Sequence, residues 1–205
     1  MVKILLIDNY PYGGDVRERR NRFREILKDV ELEILGFDKL NEKNLNEFDG
    51  FILSGSNLSL SVKENIEKYK DEIDIVRNSE KPILGICFGH QLIGVAFGFN
   101  IVKMKNIHSE WGDEVKLKIK PFELCNKNEI IVEENHHEEI EYTPEFEKVF
   151  DILGGDENCK IEIIRHKTRK IFGVQFHPET NPKSAIKEDG EEIIRKFVEL
   201  ASLKS

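Results

Sequence analysis

The chain has 205 residues, 39% of them hydrophobic and 34% charged, with a formal net charge of −8. That composition describes a globular chain with enough apolar residues for a buried core, read here as one domain spanning 1–205, and it excludes a disordered polymer. The acidic balance, without a long Lys/Arg run, argues against a nucleic-acid partner, and no apolar stretch has the length of a membrane span or the form of a secretory leader.

Three cysteines, Cys87, Cys125 and Cys159, lack close metal-type spacing and are odd in number, so neither a disulfide framework nor a metal site is expected. A reducing, cytoplasmic setting fits them.

Val2 to Asp8 is a β-rich run that ends in the loop signal "DNYPYGG". A helix should follow, opened by Asp15 and Glu18 as a capping box and carrying Val16, Phe23, Ile26, Leu27 and Val30 on one face. "ELEILGF" and "FDGFILSG" are the next strands. Ser61 and Glu64 form a second capping box ahead of Val62, Ile66, Tyr69, Ile73 and Val76, which step by helical intervals. "KPILGIC" is an apolar run of the kind found where both faces of a parallel sheet are covered.

Beyond Gly98 the pattern shortens. Glu114 to Lys120, Glu129 to Glu133, Val149 to Leu153 and Lys160 to Arg165 read as half-exposed, partly antiparallel strands. "KIFGVQF" is a last buried strand, and Glu191 to Leu203 a closing helix with Ile194, Phe197, Val198 and Ala201 inward. The expected fold class is therefore α/β: a doubly wound, mostly parallel sheet flanked by helices, with a small additional antiparallel sheet. Ligands in such sheets sit beyond the carboxyl ends of the strands.

Two motifs fall at those ends. Gly85-Ile86-Cys87-Phe88-Gly89 has the spacing of a nucleophile elbow with Cys in place of Ser, and the start of a helix favours a thiolate there. A buried structural Cys between loop glycines is the plain alternative. "GVQFHPE" places His177 and Glu179 two residues apart, on one side of extended chain. A thiol needs a base and the base needs an orienting acceptor, which Cys87, His177 and Glu179 supply in turn.

"PILGICFGHQLI" together with "FGVQFHPE" resembles the class I glutamine amidotransferases, over nearly the whole chain. "GFILSG", "SEWG" and "NHHEEIEYTPEFEKV" look nearest to the amidotransferase domain of GMP synthetases. The resemblance implies a flavodoxin-like fold, hydrolysis of the glutamine side-chain amide through a cysteinyl thioester, no cofactor, and a separate synthetase that receives the ammonia. It also implies an oxyanion hole from the N–H groups of Phe88 and Ser56, and glutamine contacts at Gly55, Gln91, Asn135, His136 and His137. Ser56 and Asn57 stand where those relatives have Gly-Pro, and His137 where they have Gly. A less firmly preformed hole, with low turnover until a partner docks, is the expectation.

A γ-glutamyl hydrolase or peptidase on the same scaffold is the nearest alternative, and a non-catalytic regulatory relative the next. His90 is expected to pack or lie on a helix surface, His108 and His166 to be surface residues, and Cys125 and Cys159 to be inert. Trp111 is either a pocket wall or a core anchor.

Overall fold

A computed structural model describes residues 1–11, 16–105, 113–180 and 189–203. Asp15, His108 and Trp111 lie outside the described residues, and with them the cap position of the first capping box and the "SEWG" stretch.

Strands β1 (Lys3–Asp8), β2 (Glu31–Gly36), β3 (Gly50–Leu53), β4 (Ile83–Ile86), β9 (Phe150–Gly154), β10 (Ile163–His166) and β11 (Ile171–Val174) form one sheet in the order β2-β1-β3-β4-β11-β10-β9. Its first five members are parallel, while β10 runs antiparallel to both of its neighbours. Two further pairs are antiparallel: β5 (Ile101–Lys103) with β8 (Glu138–Ile140), and β6 (Asp113–Lys118) with β7 (Glu129–Glu134). The expected α/β class therefore holds, with two small sheets instead of one. The pairing of β5 with β8 was not foreseen, because three residues are too few for a periodic signal.

Side chains alternate across the sheet and build two cores. From β1, Ile4 and Leu6 join Phe23 and Ile26 of α1 (Val16–Ile26) and Ile193, Ile194 and Phe197 of α6 (Asp189–Ser202). Leu5 and Ile7 point the other way, toward Ile73 and Val76 of α3 (Lys70–Asn78) and Leu92 and Ile93 of α4 (Phe88–Ala96). Both faces of the central strands are thus covered, which is why those strands read as continuous apolar runs.

The helix expected from Ser61 onward is broken in two. A single turn, α2 (Lys63–Ile66), leads through a 3-10 turn at Glu67–Tyr69 into α3. Ser61 is not its cap: the Ser61 hydroxyl donates to Glu138 Oε1 at 2.6 Å, so the side chain is committed to another segment. Val62, expected inward, is 43% exposed. The break brings Tyr69 inward, where its hydroxyl donates to the Asn9 carbonyl at 2.9 Å and its ring packs on Phe37 and Phe88. A short α5 (Phe146–Val149) precedes β9.

Candidate active site

The carboxyl ends of β1, β3, β4 and β11 converge on a cleft of about 640 Å³. Cys87 stands at its floor, between β4 and α4, with φ 50° and ψ −101°. It is the only non-glycine residue with positive φ among the described residues. That backbone shape is strained for an L-residue and is held from both sides: Cys87 N–H donates to Val174 O at 2.8 Å, and Gln91 N–H returns to Cys87 O at 3.1 Å. The flanking glycines are steric requirements. A Cβ on Gly85 would come 2.5 Å from Gly89 O, and one on Gly89 would come 2.3 Å from Leu53 O.

His177 comes from the end of β11, with its main-chain N–H anchored on Glu133 O at 3.0 Å. Its Nδ1 lies 2.9 Å from Glu179 Oε1, and its ring also forms a side-chain hydrogen bond with Cys87. All three residues are buried. Burial opposes a charged imidazole, but the Glu179 carboxylate and the Cys87 sulfur outweigh it and hold His177 well above its ordinary pKa. With Nδ1 facing a carboxylate, the proton sits on Nδ1 and the other ring nitrogen is left for the thiol.

Phe88 opens α4, where the first N–H groups of a helix have no intrahelical acceptor. Ser56 lines the cleft as well. Its hydroxyl donates to Asn9 O at 2.7 Å and accepts from Leu58 N–H at 3.2 Å, tying the ends of β1 and β3 together. Its φ is not positive, so Ser in place of Gly brings no left-handed strain here. At Gly55 a Cβ would lie 3.0 Å from His177 Cε1 and from the Tyr10 hydroxyl, so the missing side chain is what lets β3 approach the imidazole.

Gln91 is buried, one turn along α4 from Cys87, and donates through Nε2 to Glu138 O at 2.7 Å and Gln175 Oε1 at 3.1 Å. Asn135, His136 and His137 line the cleft. The Asn135 carbonyl is 3.9 Å from Cys87 Sγ. His136 is buried, with Nδ1 3.1 Å from Glu138 O, whereas His137 is exposed. Every described position expected at the site is therefore at or beside this cleft, and Glu179 supports it from behind His177.

Two contributors were missed. Gln175 is fully buried and points Nε2 at the Cys87 sulfur, 3.7 Å away. The alternation that pairs His177 with Glu179 reaches back to Gln175 as well, so the signal was present. Tyr10, from the loop that follows β1, lines the cleft with Arg19 stacked 3.7 Å over its ring. Burial raises its phenol pKa.

Other expectations separate. His90 is fully buried against Gly173, and burial, with the charge of His136 added, drops its pKa to about 3, so it packs as a neutral ring. His166 is not a free surface residue: its Nδ1 accepts from Thr168 and Arg169 amides, and its ring packs on Phe97 and Phe150. A turn that needs an acceptor recruited it. Cys125 and Cys159 are buried thiols whose pKa burial pushes up. Cys159, however, faces His136 and Glu162, a cluster that sequence spacing gave no sign of.

Residues 6–200 match the family model for "Glutamine amidotransferase class-I". The chain is 34% identical to the glutamine-hydrolyzing GMP synthase subunit of Methanocaldococcus jannaschii, over 98% of each chain. To the protein of the same name in Thermoplasma acidophilum it is 33% identical, over 97% of this chain and 92% of that one. A crystal structure from T. acidophilum, of a protein assigned to that same GMP synthase subunit, superposes with a TM-score of 0.79 at 31% identity, over 98% of this chain and 94% of that one. A glutamine amidotransferase structure from Thermotoga maritima shares the fold, with a TM-score of 0.75 at 18% identity over 99% of each chain. Fold, cleft and family model agree: the chain belongs to the class I glutamine amidotransferases.

Proposed function

We propose that the chain hydrolyses the side-chain amide of glutamine as the amidotransferase component of a two-chain GMP synthase, passing ammonia to a separate synthetase chain. The observation that carries this is the Cys87 sulfur, raised on a strained elbow, beside an imidazole that Glu179 orients at 2.9 Å.

In this reading His177 takes the Cys87 thiol proton, and the sulfur attacks the amide carbon of glutamine. The carbonyl π electrons move onto oxygen, where the N–H groups of Phe88 and Ser56 would receive the charge. On collapse the C–N bond breaks, His177 delivers its proton to the departing nitrogen, and ammonia leaves a γ-glutamyl thioester. Water, deprotonated by His177, then attacks the thioester, and the C–S bond breaks to give glutamate and free Cys87. Glu179 keeps the imidazole in the useful tautomer throughout. Gln175 steadies the sulfur, and Gln91 with the Asn135–His137 loop walls the glutamine.

The partner is inferred from the two curated relatives: both carry the name of one GMP synthase subunit, and the Methanocaldococcus protein matches this chain over 98% of both lengths. The test is to assay the purified chain with glutamine and with a γ-glutamyl peptide, with and without the synthetase chain. Ammonia from glutamine that increases with the synthetase is the expected result. Strong peptide cleavage without glutaminase activity would replace this reading by a γ-glutamyl hydrolase.

A further inference from the structure

Beside the cleft, reached from its His136 wall, a second group of chemically active side chains is buried. His136, Cys159 and Glu162 are 5%, 1% and 0% exposed, and their ligand atoms lie within 4.8 Å of one another. His136 Nε2 stands 3.5 Å from Glu162 Oε1 and 3.9 Å from Glu134 Oε2, and Glu134 is 1% exposed. Two ligands held about 2.0–2.2 Å from one tetrahedral zinc stand roughly 3.4 Å apart, so the imidazole-to-carboxylate separation already suits a shared ion.

Three features point to a cation at the centre. His136 Nε2, both Glu162 carboxylate oxygens and Glu134 Oε1 are buried without a hydrogen-bond partner among the described residues, a costly state for polar atoms. The opposite ring nitrogen, Nδ1, faces the Glu138 carbonyl at 3.1 Å. That is the arrangement that fixes the tautomer of a metal-bound histidine and leaves Nε2 as the ligand. Third, two buried glutamates, Glu134 and Glu162, face one buried imidazole from separate segments.

The backbone is fixed around these atoms. Asp156 Oδ1 accepts from the Asn158 and Cys159 amides at 2.7 and 2.8 Å. Glu162 is clamped through its N–H to Gly154 O and through its carbonyl to Gln175 N–H. The four side chains come from two segments, 134–136 and 159–162, which an ion held between them would fasten together.

We propose that His136, Cys159 and Glu162, with Glu134 as fourth ligand, bind a divalent cation of the zinc class. Thiolate and imidazole beside carboxylate suit zinc or cobalt better than magnesium or calcium. Binding releases the Cys159 thiol proton to solvent, and the ion fastens the loop that walls the cleft to the segment before β10. All ligand positions come from protein, so the ion is structural and takes no part in amide hydrolysis.

The test uses the full chain carrying Cys87→Ala, which removes the other thiol that lies beside a histidine. Stripped with chelator and titrated with Co(II), it should take up one equivalent, with sulfur-to-cobalt charge-transfer absorption that zinc then bleaches. Adding Cys159→Ser should abolish that absorption, Glu162→Gln should weaken zinc by about 10- to 100-fold, and Cys125→Ser should change neither. Zinc should raise the melting temperature of the Cys87→Ala chain and not that of Cys87→Ala/Cys159→Ser. Absence of uptake, or equal zinc affinity with and without Cys159, overturns the site. Should Cys159→Ser fail to fold, X-ray absorption on the zinc-loaded Cys87→Ala chain decides: a metal shell without sulfur overturns it equally.

Discussion

His177 Nδ1 and Glu179 Oε1 meet at 2.9 Å in a buried setting, and the carboxylate is a principal reason the imidazole holds its proton above the ordinary range. Replacing Glu179 by Gln keeps the shape and removes the charge, so the His177 pKa should fall, as read by NMR titration. The stability sign follows. A histidine whose folded pKa is raised contributes fully below its unfolded value of about 6.5 and loses that contribution as pH rises through the folded value. Wild type should therefore lose more stability than Glu179→Gln on alkaline titration above pH about 6.5.

Cys87→Ala should remove glutaminase activity by at least about 1,000-fold, since members of a nucleophile–base unit fail together. Cys125→Ala, at a buried thiol that does not line the cleft, should leave kcat within about two-fold, with any penalty confined to stability. An ammonia-release assay separates the two, and equal activity in wild type and Cys87→Ala would support the non-catalytic alternative.

Ser56 holds Asn9 O and Leu58 N–H with one hydroxyl. Ser56→Ala frees the end of β3 and should lower kcat about ten-fold with KM little changed, the mark of an interaction felt mainly in the transition state. The isolated chain should be slow, and addition of the synthetase should raise kcat, measured by steady-state kinetics at saturating glutamine.

Glu72 is fully buried, accepts from Asn9 Nδ2 at 3.1 Å, and is pushed up to about 8 by burial. A carboxyl whose folded pKa is raised stabilises below its unfolded value and loses that as pH rises through the folded one. Melting temperature should therefore fall between pH 4.5 and about 8 in wild type, and less steeply in Glu72→Gln.

Much of this site was legible because its chemistry is local: five residues make the elbow, and strand alternation aligns His177 with Glu179. What was not legible depends on distant segments. Ser61 looked like a helix cap until Glu138 claimed its hydroxyl, and the helical run that follows is interrupted at the 3-10 turn whose Tyr69 hydroxyl donates to the carbonyl of Asn9. His136 follows β7 whereas Cys159 and Glu162 precede β10, so no spacing rule could join them.

The glycine pair under Cys87 also limits how the enzyme can be controlled. With Gly85 packed on Gly89 backbone and Leu53 O against the turn, the backbone that carries Cys87 has no room to travel. A docking protein that wakes this chain has to reshape what surrounds a stationary nucleophile, through the Ser56 bend, the 134–138 wall or the His177 tip. Variants with altered responsiveness should be sought in those three lips and not along α4.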